Sequence, residues 1–207
     1  MEAETAQACA AVAAELERAG WAVQPDFLPA DEVAALADEV LAYWAQGEFR
    51  PAGVGHGAEL RLRTDVRQDH VHWLVPEDAT PAQRRYLARM ETLRRTLNER
   101  LLLGLFEFEG HFALYPPGAF YRTHLDQFRG VEERLVSCVV YLNRDWRPAD
   151  GGGLRLYLEA PDRTPYVDVE PRAGTLACFL SGQFYHEVRP TAAPRLSLTG
   201  WFRRRLL

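Results

Sequence analysis

A carboxylate two residues from an imidazole is half of a metal site, and the sequence holds one in His124-Leu125-Asp126. In an extended segment, i, i+2 spacing puts both side chains on one face. A second imidazole, His186, follows an apolar strand-like run at Thr175 to Leu180. Two imidazoles and one carboxylate on one face of an octahedron leave three positions open, as a non-haem Fe(II) oxygenase needs for its co-substrate and O2. The triplet alone carries little. With six histidines and 29 acidic residues in the chain, about one His-x-Asp/Glu is expected by chance. What adds weight is Arg195, nine residues after His186 and at the start of a strand pattern that reaches Trp201. Its planar guanidinium can grip a carboxylate through two hydrogen bonds, as an iron pocket for a dicarboxylic 2-oxoacid requires.

Other candidates are weaker. His70-x-His72 also puts two imidazoles on one strand face, but no third ligand suggests itself nearby. His111 lies in a strand pattern before Tyr115 and reads as structural. The glycines at 151–153 and Ser181-Gly182 make no phosphate loop, because no Gly-Lys-Ser/Thr follows. No serine sits in a Gly-x-Ser-x-Gly setting, which removes the commonest hydrolase reading. Cys9, Cys138 and Cys178 are sparse and lack CxxC spacing, so they read as buried free thiols of a reducing compartment.

The elements that must position these groups divide the chain in two. Residues 1–104 read as mainly helical support with lid strands, and 105–207 as a β core carrying the site, all within one domain spanning 1–207. Glu4 to Arg18 predicts a helix ended by Gly20, and Trp21 to Val23 a short strand. Asp31 is the expected cap of a helix to Gln46, with Val33, Leu36, Val40, Leu41 and Trp44 as its apolar stripe. A glycine-rich loop is expected over 51–57, and strands with a turn over Leu60 to Trp73. Thr80-Pro81 predicts a helix start, running to Leu103 with Tyr86, Leu87, Met90, Leu93 and Leu97 inward. Then the texture changes. Phe106 to Glu109 alternates, and His111–Tyr115, Leu135–Leu142, Leu154–Leu158, Tyr166–Val169, Thr175–Leu180 and Leu196–Phe202 read as short strands between Pro- and Gly-rich turns. Helices feeding many short strands indicate an α+β fold whose strands close into a jelly roll or barrel.

Composition narrows the function classes. The formal net charge is −5, which repels nucleic acid and anionic lipid. The one dense basic run, Arg203-Arg204-Arg205, reads as the solvated end of a last strand. Met1 to Gly20 is Ala-rich, but Glu2, Glu4, Glu15, Glu17 and Arg18 interrupt it, unlike a secretory leader. No uncharged apolar run approaches membrane-spanning length, so a cytoplasmic location with neither nucleic acid nor membrane as partner is expected. Lys and Ile are missing while Arg and Ala abound, which suggests a GC-rich, bacterial coding sequence.

A longer series of residues then comes into register. It runs Tyr115-Pro116, Tyr121-Arg-Thr-His124-Leu-Asp126, Arg134, Tyr141-Leu-Asn-Arg-Asp-Trp146 and Gly152-Gly-Leu-Arg155. It ends with His186-Glu-Val188, Arg195, Thr199 and Trp201. This series, nearly half the chain, resembles the catalytic core of prolyl 4-hydroxylase-type 2-oxoglutarate/Fe(II) dioxygenases. The similarity is greatest to the branch holding the hypoxia-inducible-factor prolyl hydroxylases and their bacterial relatives. Upstream, Arg67-x-Asp69 with Trp73 resembles that branch's mobile substrate loop.

The resemblance implies a double-stranded β-helix core packed on the N-terminal helices. It implies His124, Asp126 and His186 as Fe(II) ligands, and Arg195 and Tyr141 on the distal carboxylate of 2-oxoglutarate. Tyr115 and Thr199 would line the same pocket. Arg67, Asp69, Arg134 and Trp201 would border the substrate, with Arg134 paired to Asp69. O2 would be the second co-substrate and ascorbate a reductant. The implied activity is hydroxylation of a target proline in a protein or peptide, such as a translation factor, with release of succinate and CO2. Two alternatives stay open: a hydroxylase of a small molecule or free amino acid, and a non-catalytic protein that senses O2 or 2-oxoglutarate. The segments that depart most from the family, Gln127 to Glu133 and His70-x-His72, border the expected substrate entrance.

Overall fold

The computed structural model describes residues 2–55, 61–127, 133–161 and 164–205. Parts of the two expected loops at 51–57 and 127–133, His56 among them, lie outside the described residues.

The chain begins with α1 (Glu2–Ala19). Gly20 closes it with φ +79°, and a side chain there would meet the Phe184 ring at 2.9 Å, so only glycine fits without strain. β1 (Trp21–Gln24) and α2 (Ala30–Ala45) follow. Asp31 is not the cap of α2. Pro29 takes the N-cap position in an extended conformation, and Asp31 stands in the first turn, where its charge suits the positive end of the helix. Val33, Leu36 and Val40 are buried, but Leu41 and Trp44 are 50% and 40% exposed. The last turn of α2 reaches the thin edge of the sheet, formed by β2 (Arg50–Pro51) and β3 (His70–Trp73), and Trp44 meets Phe49 and His70 there edge-on. Too little sheet lies beneath to cover it.

α3 (Pro81–Leu101) starts as its sequence dictates: Thr80 Oγ1 accepts from the Gln83 N–H at 3.1 Å, with Pro81 in the first turn. It stops two residues early, at a left-handed Leu102. Tyr86, Met90, Leu93 and Leu97 are buried and Leu87 partly so. Phe106 to Tyr115 is one long strand, β4 (Leu105–Tyr115). After it come β5 (Tyr121–His124), β6 (Arg134–Tyr141), β7 (Leu154–Tyr157), β8 (Tyr166–Val169), β9 (Leu176–Leu180), β10 (His186–Val188) and β11 (Arg195–Arg204).

The strands form two antiparallel sheets, ordered β1-β9-β6-β11-β4-β3-β2 and β5-β10-β7-β8. One face of the larger sheet packs on the helices through Phe112, Val140, Cys178, Leu198 and Phe202. The opposite face meets the smaller sheet across Val139, Tyr141, Leu156, Phe179 and Val188. Period-two alternation therefore sends every second residue of β4, β6 and β11 into the space between the sheets. This is the expected double-stranded β-helix on N-terminal helices. The basic run at the end of β11 is engaged: Arg203 bonds Glu109 and Glu133, and Arg205 lies over Phe106. Among the described residues no helix is long and apolar enough to cross a membrane.

Candidate metal centre and its cavity

β5 and β10 are neighbours in the smaller sheet, and their register sets His124 directly opposite His186. The ring centroids are 4.1 Å apart. His124 Nδ1 lies 2.8 Å from the Arg122 carbonyl oxygen, and His186 Nδ1 3.1 Å from that of Phe184. A carbonyl only accepts, so each Nδ1 carries the hydrogen and each Nε2 keeps its lone pair. Asp126, just past β5, sets Oδ1 3.4 Å from His124 Nε2 and Oδ2 3.6 Å from His186 Nε2. The three ligand atoms lie within 4.8 Å of one another, and no second such cluster occurs among the described residues.

Burial would raise the Asp126 carboxyl, but the facing His186 and His124 rings outweigh it and hold the group well below the usual carboxylate range. Burial and the neighbouring His124 push His186 down to about 4 against the pull of Asp126. An ionised carboxylate and a neutral imidazole are the forms that bind a metal. Two nitrogens and one oxygen converging from one side suit Fe(II), so the residues present fit the ion the family implies.

The larger sheet supplies the other wall. On β11 the inward residues are Arg195, Ser197, Thr199 and Trp201; register puts Tyr115 opposite Arg195, His111 opposite Thr199 and Tyr141 opposite Ser197. Arg195 is 1% exposed, with its guanidinium 4.9 Å from the Tyr115 ring and 5.1 Å from that of Tyr141. Its Nε donates to the Gly152 carbonyl at 2.9 Å. Gly152 has φ +63°, and a Cβ there would stand 3.1 Å from Arg195 Cδ, so the glycine admits the arginine. Among the described residues no carboxylate pairs with Arg195, and the buried Tyr141 hydroxyl has no hydrogen-bond partner. Burial pushes the Tyr141 phenol up to about 12 despite Arg195, so it is a donor. A buried cation beside an unused donor costs several kcal/mol unless an anion joins them. That chemistry fits a carboxylate ligand such as 2-oxoglutarate.

Metal residues and arginine share one cavity of about 740 Å³, the size range of small-ligand sites. At its mouth Arg67 grips Asp69 through two hydrogen bonds of 2.7 and 2.6 Å and lies 4.2 Å over the Tyr121 ring. The expected Arg134–Asp69 pair is replaced by local partners. Arg134 bonds Glu109 at 2.8 Å and lies 3.6 Å over Trp201, because β4 and β11 set Glu109 and Trp201 side by side next to it. His70 and His72 turn toward α2, where His72 stacks on Tyr43 at 4.4 Å, and no third ligand joins them among the described residues.

Three residues at or behind the site carried no clear functional signal in the sequence. His111 lines the cavity beside Trp73 and Trp201, and burial, helped by Arg67, pushes its imidazole down to about 4. Its parity with Tyr115 along β4 is the clue that places it inward. Ser137, which bonds Asp126, and Ser181, which bonds Ser137, sit in no recognisable pattern.

Comparison with known proteins agrees with this geometry. The profile of the 2OG-Fe(II) oxygenase superfamily matches residues 110–203. A hypoxia-inducible factor prolyl hydroxylase of Caenorhabditis elegans is 30% identical over 90% of this chain and 27% of its own. Egl nine homolog 1 of Homo sapiens is 30% identical over 90% of this chain and 44% of its own. The chain thus spans between about a quarter and a half of the length of these curated relatives. Among solved structures, a Pseudomonas putida prolyl-4-hydroxylase is 50% identical over 96% of this chain and 100% of its own, with a TM-score of 0.85. A Trichoplax adhaerens prolyl hydroxylase, solved with a hypoxia inducible factor peptide, is 25% identical over 98% and 91% of the two chains, with a TM-score of 0.84.

Proposed function

The chain belongs to the prolyl 4-hydroxylase type of 2OG-Fe(II) oxygenases, and on that premise we propose that it hydroxylates C4 of a prolyl residue in a protein substrate. The observation that carries the reading is one cavity holding both a His-Asp-His set and a buried arginine whose charge meets no carboxylate among the described residues. When bound, Fe(II) and 2-oxoglutarate supply the oxidising chemistry: O2 is consumed, 2-oxoglutarate becomes succinate and CO2, and a C–H bond becomes C–OH.

The chain's own residues bind and orient. His124, Asp126 and His186 hold Fe(II), each imidazole aimed by its backbone hydrogen bond. Arg195 and Tyr141 take the distal carboxylate of 2-oxoglutarate. Tyr115 and Thr199 line the same end with hydroxyls. At the mouth, the Arg67–Asp69 pair holds the substrate loop, and Trp201 with Arg134 forms an aromatic and cationic wall for the prolyl ring. A peptide substrate is supported by the Trichoplax relative, solved with a hypoxia inducible factor peptide fragment. A translation factor, met in the cytoplasm, is the substrate proposed for this chain, with ascorbate as a reductant between turnovers.

The test follows succinate after O2 is admitted to anaerobic protein with Fe(II) and 2-oxoglutarate, using His124→Ala as control. Wild type is expected to release succinate and the variant none. Candidate peptides and mass spectrometry then identify the hydroxylated residue. A wild type that neither binds iron nor forms succinate overturns the oxygenase reading. Product from free amino acids but not from peptides replaces the prolyl substrate with a small one.

A further inference from the structure

Asp126 is the ligand least constrained by its own element. His124 and His186 are fixed within β5 and β10, whereas Asp126 lies beyond the end of β5. A carboxylate on a loop rotates, and both of its oxygens face imidazole nitrogens here. Something must choose which oxygen the metal receives.

Ser137, inward on β6, lies 2.7 Å from Asp126 Oδ2 through its Oγ, and 2.8 Å from the Oγ of Ser181. Ser137 is 1% exposed and Ser181 0%, so bulk water does not compete. The proton order follows from counting. An ionised carboxylate only accepts, so the single hydroxyl hydrogen of Ser137 goes to Oδ2. The 2.8 Å contact therefore has Ser181 donating to Ser137. Each hydrogen bond in such a chain polarises the next, which strengthens the grip on the carboxylate. The next residue is tied as well: Gln127 Nε2 donates to the Arg134 carbonyl at 3.2 Å, and its amide packs on Gly182.

From this geometry we infer that Ser137, backed by Ser181, is a positioning residue that holds Oδ2 and leaves Oδ1 as the one ligand oxygen of Asp126. The inference rests on the metal-centre reading above. Its consequence is functional: a carboxylate that gripped through both oxygens would occupy a position that the co-substrate or O2 needs. A carboxylate released from Ser137 would bind the metal less tightly and less uniformly.

The experiment titrates Co(II) alone into metal-free protein and reads the visible d–d spectrum. The proteins are wild type, Ser137→Ala, Ser181→Ala, the double variant and Ser137→Thr. Ser137→Ala is expected to weaken Co(II) binding about 10–100-fold, the usual effect of removing an outer partner of a metal ligand, and to shift the d–d bands. Ser181→Ala should weaken it several-fold, and that effect should vanish in the Ser137→Ala background because the chain is already broken. Ser137→Thr, which keeps the hydroxyl, should restore affinity and spectrum. The non-additive cycle excludes general loosening of the fold, which would add the two losses. Wild-type affinity and spectrum in Ser137→Ala overturn the inference while leaving the metal centre standing. A wild type that binds no Co(II) overturns the metal centre itself.

Discussion

Replacing Arg195 by methionine should separate what the guanidinium does for a ligand from what it costs the fold. The side chain is 1% exposed, and its one short hydrogen bond runs to the Gly152 carbonyl at 2.9 Å. With no carboxylate beside it among the described residues, burial of this charge is poorly compensated, at a cost of several kcal/mol. Methionine fills a similar volume without charge. The variant loses the bond to Gly152, worth about 1–3 kcal/mol when its partner stays buried, and is relieved of the unpaired cation. The ligand-free protein should therefore be as stable as wild type or more so. Binding of 2-oxoglutarate should fall by about 3–5 kcal/mol, the usual loss when one partner of a buried charge pair is removed. That is roughly 140- to 3,700-fold in Kd at about 1.4 kcal/mol per tenfold. Thermal unfolding with and without 2-oxoglutarate, in redox-silent Mn(II), reads both effects at once. At 100 times its Kd the ligand should stabilise wild type by about 2.7 kcal/mol, a Tm rise of about 5–11 °C for a chain of this size. At the same concentration Arg195→Met should show no rise. An equal rise in the variant, or a ligand-free variant that unfolds well below wild type, would refute the assignment of Arg195 to a carboxylate.

In the Arg67–Asp69 pair the carboxylate is fully buried and the guanidinium 15% exposed, so Asp69→Leu alone should destabilise by roughly 2–4 kcal/mol through the stranded Arg67, somewhat less than for a pair buried on both sides. Urea unfolding should show most of that loss recovered in Asp69→Leu/Arg67→Met, and a double variant as unstable as the single one would contradict this. His111 sets an acid limit. Its unfolded form takes up a proton near 6.5 and its buried form near 4, so stability is complete above about 6.5 and declines by roughly a few kcal/mol as the pH falls toward 4. His111→Met should flatten that part of the urea-stability profile between pH 7 and 4.5, and an unchanged slope would exclude His111 as its source.

Residue types and short spacings determined a good deal. Thr80-Pro81 states its own helix start, since capping and proline geometry act within one turn. His124-Leu125-Asp126 places two ligand types on neighbouring backbone, and alternation along β4 and β11 names the inward residues. Where a pattern needed support from elsewhere, it misled. Asp31 satisfies capping chemistry, yet Pro29 took the position. Leu41 and Trp44 continue an apolar stripe for which the sheet runs out. Arg134 has the charge to pair with Asp69, but β4 and β11 set Glu109 and Trp201 closer. What tertiary structure alone decided is register across long separations: His124 opposite His186, Tyr141 beside Arg195, and Ser137 within 2.7 Å of Asp126. Period-two patterning tells which face a strand buries and nothing about which residue of another strand stands opposite. That choice belongs to the packing of the two sheets as a whole, and the metal centre exists only once it has been made.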